Sequence, residues 1–97
     1  MIARVTIFHV KPEKVEEAIK LYETSVIPET RMQNGFTGGY LLTDRASGRG
    51  MSLTFWQTQE HVVASEENLH YQQQLVKFLD MFASPPIKEQ YTISLEF

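Results

Sequence analysis

Polar and apolar residues along the chain follow two different periods, and the change from one to the other happens twice. From Ile2 to Val10 the repeat is two. Val5, Ile7 and His9 fall on one face of a strand, and Arg4, Thr6, Phe8 and Val10 on the other. Apolar residues on both faces imply that both are covered. Lys11-Pro12-Glu13 then opens a helix, since proline at the first helical position loses only an N–H that has no partner there. Glu13, Glu16 and Glu17 complement the positive end of the helix dipole. Val15, Ile19, Tyr22 and Val26 recur at helical spacing as one apolar stripe, widened by Ala18 and Leu21. Pro28 has no N–H for the carbonyl of Thr24, and its ring clashes there, so the helix is expected to bend or break. Asn34-Gly35 ends it, both residues tolerating positive φ.

Phe36–Thr43 and Met51–Trp56 read as a second and third strand joined by the polar loop of residues 44–50, a hairpin. Thr58 is the expected N-cap of a short helix through Val62 and Val63. Ser65 is expected to cap a longer one, with Tyr71, Leu75, Phe78 and Phe82 as its apolar stripe and Ser84-Pro85-Pro86 as its stop. Tyr91, Ile93, Leu95 and Phe97 alternate with polar residues and read as the last strand. The order βαββαβ, with right-handed crossovers, predicts one α+β domain over residues 1–97, a ferredoxin-like four-stranded antiparallel sheet. Two helices cover one sheet face. A second copy of the sheet is the simplest cover for the other, which predicts a homodimer burying on the order of 2,000 Å².

Composition narrows the chemistry. The chain is 42% hydrophobic and 22% charged, as expected of a folded domain. A net charge of −3 supplies no field for nucleic acid or an anionic membrane. The absence of cysteine excludes disulfides, thiolate catalysis and cysteine-ligated metals. No apolar run approaches the ~20 residues of a membrane span, and the first residues lack signal-peptide features, so the expected compartment is the cytoplasm.

The candidate bases are His9, His61 and His70. His9 ends a strand face, as an interface or strand-end residue. His61 adjoins Glu60 on a short helix, and His70 adjoins the stripe residue Tyr71. Glu67-Asn68-Leu69-His70 has the Glu-x-x-His spacing of di-iron bundles, but those sites need two such motifs, and this chain has one. No metal is therefore expected. Arg4 and Thr6 are polar residues inside the first strand. If buried, Arg4 needs a partner, either Glu96 on the last strand or a ligand. Trp56 and Tyr22 are either core aromatics or surfaces for a planar ligand. Gly38-Gly39 marks a bulge, close packing or a ligand's approach to the backbone. Gly48-x-Gly50 lacks the rest of a phosphate loop.

The start Met-Ile-Ala-Arg-Val, the proline-initiated helix, Val26-Ile27-Pro28, the block Asn34-Gly35-Phe36-Thr37-Gly38-Gly39-Tyr40-Leu41-Leu42 and the strand-ending Trp56 resemble the antibiotic biosynthesis monooxygenase-like domain of the dimeric α+β barrel superfamily. The resemblance covers nearly the whole chain. It implies a homodimer and a monooxygenase that oxidises a phenolic or quinol-like small aromatic molecule without metal or flavin. Arg4 and Thr6, with His70 or Tyr71, would orient and deprotonate the substrate. Trp56 and Tyr22 would contact it. A non-catalytic dimeric binding or stress-related module of the same fold is the competing implication. Haem-degrading members carry an Asn, a Trp and a His at positions that correspond to about Thr6, Ser65 and Leu75 here; none matches, so haem degradation is not expected.

Overall fold

The computed structural model describes all 97 residues. Strand β1 (Ile2–Val10) leads through a 3₁₀ turn (Pro12–Lys14) into α1 (Val15–Leu21), a π turn (Tyr22–Val26) and α2 (Ile27–Thr30). Strands β2 (Phe36–Thr43) and β3 (Arg49–Trp56) form a hairpin. They are followed by α3 (Gln59–Glu67), α4 (His70–Val76) and β4 (Phe82–Thr92). The sheet order is β2-β3-β1-β4 with every neighbouring pair antiparallel, which is the ferredoxin-like arrangement.

Register decides what the helices cover. Arg4 pairs with Thr54, Thr6 with Ser52 and Val10 with Phe82, so these side chains share the helix-covered face. Val10, Val15, Ala18 and Met81 form the core there, with Phe8, Ile19, Phe78 and Phe82 packed on it. The opposite face carries Val5, Ile7, Leu53 and Phe55 down its centre. Tyr40, Leu42, Met51, Ile87 and Tyr91 are exposed around them. No helix is long and apolar enough to cross a membrane.

Four local expectations are corrected. The first helix does not break at Pro28. The N–H of Ile27 reaches back five residues to the carbonyl of Tyr22, and this wider π turn passes the helix through the proline. Ser65 does not cap a helix but lies inside α3. The break falls at Asn68-Leu69, where Leu69 takes a left-handed conformation (φ 66°) and Asn68 Oδ1 accepts from the N–H of His70. Thr58 does cap α3, accepting from the N–H of His61. Third, α4 stops at Val76 and Phe82 already belongs to β4, so the apolar repeat through Phe82 spans a helix, a turn and a strand. Finally, β4 runs through Ser84-Pro85-Pro86 and ends at Thr92, leaving residues 93–97 outside the sheet. Proline is tolerated because β4 is an edge strand, and its pairing with β1 shifts register between Ile7 and Val10.

The two glycines of β2 divide their roles. Gly38 (φ 149°) sits at a bulge between Phe36 and Gly38. A side chain on Gly39 would strike the carbonyl of Leu53, so the close approach there is made by the neighbouring strand.

Candidate functional site

Between the sheet and the helices lies a cavity of about 80 Å³. It exceeds the ~10–15 Å³ that one water needs and falls below the ~300–1,000 Å³ of pockets for drug-sized ligands. Its wall is sorted by the sequence of β1. Phe8 and Val10 meet Val15, Ala18, Phe78 and Phe82 to make an apolar part. Arg4 and Thr6 meet Tyr22, Thr30, Ser52, Thr54, His70, Tyr71 and Gln74 to make a polar part.

Arg4 is 3% exposed. Its guanidinium packs against the Trp56 ring (4.9 Å to the centroid) and the Tyr71 ring (4.3 Å), and Nη1 donates to Ser65 Oγ at 2.7 Å. Glu96 is not its partner; β4 ends before residue 96. The nearest carboxylate is Glu66, 3.9 Å from Nη1, and Glu66 is drawn instead to Lys88 at 2.6 Å. Burial pushes the Arg4 pKa below its ordinary value, and Tyr71, Glu66 and Tyr22 only partly oppose this.

Two hydroxyl pairs join sheet to helices across the same region. Tyr71 and Thr6 are 2.8 Å apart, and Tyr22 and Ser52 are 2.6 Å apart. Burial raises the Tyr22 pKa, so its phenol stays protonated at neutral pH. Trp56, expected to contact a ligand, does not line the cavity. It is fully buried behind Arg4, with Nε1 donating to Thr54 and its ring edge-on to Phe36.

His70 is buried in the wall, where Nε2 lies 3.1 Å from Thr30 Oγ1 and Nδ1 lies 3.4 Å from Gln74 Nε2. Its protonation pattern follows from its neighbours. The Gln74 amide donates to the Glu29 carboxylate (2.8 Å) and accepts from the Lys77 ammonium (2.9 Å), so charge on both sides fixes its orientation. Its NH₂ group therefore faces Nδ1, which must be the unprotonated nitrogen, and Nε2–H donates to Thr30. Burial lowers the His70 pKa first and the Arg4 charge lowers it further, so the ring is neutral at pH 7 with its basic lone pair on Nδ1.

Of the residues singled out from sequence, Arg4, Thr6, Tyr22, His70 and Tyr71 thus meet at one cavity, and Trp56 supports it from behind. The other histidines do not join them. His9 donates from Nε2 to the Ser47 carbonyl in the hairpin loop, and His61 pairs with its own cap residue Thr58. Glu67 is exposed while His70 is buried, and no three His, Asp or Glu side chains converge anywhere. Ser52, Ser65, Thr30 and Gln74 were not anticipated. Gln74 had a readable signal, four residues after His70 on one helix face. Ser65 had none, since its partner is 61 residues away.

Fold and cavity together define a ferredoxin-like α+β domain with a small, mostly apolar chamber and one cationic corner. The family profile for antibiotic biosynthesis monooxygenase matches residues 1–74, and the chain belongs to that family. Two uncharacterized proteins of Mycobacterium tuberculosis are 39% identical to it over 49 residues; the match covers 50% of this chain and 22% of their length. Several solved structures share the fold. A conserved protein from Methanosarcina mazei superposes with a TM-score of 0.77 at 21% identity, covering 93% of this chain and 89% of the other. The ActVA-Orf6 monooxygenase of Streptomyces coelicolor, solved with nanaomycin D, gives 0.77 at 14% identity over 99% and 89%. The haem-degrader MhuD of Mycobacterium tuberculosis, solved with two haems in its active site, gives 0.73 at 16% identity over 100% and 99%. A cavity of about 80 Å³ does not fit a haem macrocycle here.

Proposed function

We propose that the chain is a homodimeric, cofactor-independent monooxygenase acting on a single-ring phenol or quinol. The observation that carries this reading is the buried Arg4 guanidinium in the polar part of a small cavity whose other part is apolar. A positive charge in a low-dielectric wall favours the substrate's oxyanion over its neutral form, lowering the cost of deprotonation. His70 accepts the proton at Nδ1, which Gln74 engages only loosely at 3.4 Å. Thr6 and Tyr71 orient the ring, with Tyr22 on the facing helix. The electron-rich ring carbon then takes up dioxygen. One oxygen atom stays as a new carbonyl, the other leaves as water with the two hydrogens lost from substrate, and no outside reductant is needed. The ActVA-Orf6 structure holds nanaomycin D on a similar fold, but the small volume here argues against a ligand of several rings. The exposed apolar face opposite the helices supports the dimer.

A second reading rests on a separate observation. Both hydroxyl pairs in the wall are already satisfied internally, as a static binding module would have them. Oxygen uptake separates the two. A panel of monocyclic phenols and hydroquinones should consume dioxygen in the presence of the protein and incorporate one labelled oxygen atom per turnover. His70→Ala should reduce the rate by at least ~100-fold if the base acts as described. Binding without oxygen uptake by any member of the panel would leave the binding module as the correct reading.

A further inference from the structure

Arg4 has five N–H donors, and Ser65 takes a hydrogen from one nitrogen only. No fully buried side-chain nitrogen or oxygen in the chain lacks a partner. Nε and Nη2, which have no partner, therefore border accessible space, and for a residue this deep, lining the cavity, that space is the cavity. The charge is also short of a counter-ion. Glu66 stands 3.9 Å from Nη1 and is committed to Lys88. Trp56 and Tyr71 already occupy stacking positions on the guanidinium, which leaves its N–H edge for a ligand. An edge of parallel N–H donors matches the two oxygens of a carboxylate better than a single hydroxyl.

From this arrangement we infer that the cavity takes a monocyclic aromatic acid, its carboxylate seated on Arg4 and its ring in the apolar part beside Phe8. The inference rests on the preceding reading of this cavity as a substrate site, and it adds the anionic group that reading leaves open. A phenol is neutral at pH 7 and cannot complete the ion pair before it is deprotonated. A benzoate arrives already charged. A hydroxybenzoate would then anchor on Arg4 and present its phenol to the rest of the polar wall.

The test is calorimetric titration at pH 7 and constant ionic strength, with benzoate and 3-hydroxybenzoate set against phenol and benzyl alcohol. The acids should bind at least ten times more tightly than the neutral compounds. Arg4→Gln should erase that preference, bringing the acids down to the affinity of the neutral compounds. Glu66→Gln, at a partly exposed position, should tighten acid binding severalfold by removing the carboxylate that stands 3.9 Å from Arg4 Nη1, and leave neutral binding unchanged. If Arg4→Gln fails to fold, the Glu66→Gln result decides. Equal or weaker binding of the acids, or indifference to Glu66→Gln, overturns the inference. Oxygen uptake run in parallel keeps the two claims apart. Turnover of neutral phenols with no acid binding overturns only the carboxylate site. Tight acid binding with no oxygen uptake overturns only the monooxygenase.

Discussion

The two faces of the sheet use the same alternating strands for opposite purposes. On β1 the odd residues Val5 and Ile7 face away from the helices, among Leu53, Met51 and Ile87, with Glu89 the one charged neighbour in register, out on the edge strand. The even residues Arg4 and Thr6 face the helices and are held by long-range partners, Ser65 and Tyr71. A shift of one residue in register would exchange them. The helix-covered face spends polar groups inside the protein, where each needs a matched partner, and so has the makings of a site. The open face leaves large side chains such as Tyr40 and Ile87 more than half exposed, which is costly for a solitary chain and suits self-association.

The difference can be broken most strongly from beneath the covered face. Trp56→Ala removes a fully buried ring that touches Phe36 and Arg4, and should lower stability by about 3–5 kcal/mol in urea unfolding. That loss should not depend on protein concentration. A charge on the open face should act in the opposite manner. Met51→Lys, paired across the sheet with Ile7 and Leu42, should shift the light-scattering mass from about twice 11.2 kDa to that of a single chain at micromolar concentration. A wild-type mass near 11.2 kDa would end the dimer account.

Smaller changes sharpen the picture of the covered face. Tyr71→Phe deletes the hydrogen bond to Thr6 and keeps the ring against Arg4, so the expected cost is about 1 kcal/mol, or ~4–8 °C in melting temperature. The smallest effect concerns pH. Because the folded-state pKa of His70 lies below its ordinary 6.5, the unfolded chain takes up this proton first on acidification. The His70 contribution should be complete above pH 6.5 and fall away as pH drops through the folded-state value. In melts between pH 7 and pH 5, His70→Asn should flatten the decline relative to wild type. An identical decline in both would show that another group causes it.

Much of this architecture was legible because strand alternation and helix stripes are local signals. Ile2–Val10 declares both of its faces, and Arg4 and Thr6 stand out as polar residues in an apolar strand. The misreadings came from local signals that tertiary context overrode. Pro28 reads as a bend or a break, and of the two the break is absent because the helix widens into a π turn just before it. Pro85 and Pro86 read as a stop, yet an edge strand has spare N–H positions. Tyr71, Leu75, Phe78 and Phe82 do point into one cavity, but only the first two belong to a helix. The site was half visible. Arg4, Thr6, Tyr22, His70 and Tyr71 could be named from residue type, whereas the choice of Ser65 over Glu96 as the partner of Arg4 depends on how α3 lies on the sheet.

The covered face is proposed to hold the small-molecule site, and the open face only assembly. Nuclear magnetic resonance mapping with a monocyclic hydroquinone or hydroxybenzoate tests this directly. Resonances of Thr6, Tyr22, His70 and Tyr71 should move on titration, while those of Leu42, Met51 and Ile87 stay in place. Perturbations confined to Leu42, Met51 and Ile87 would contradict it.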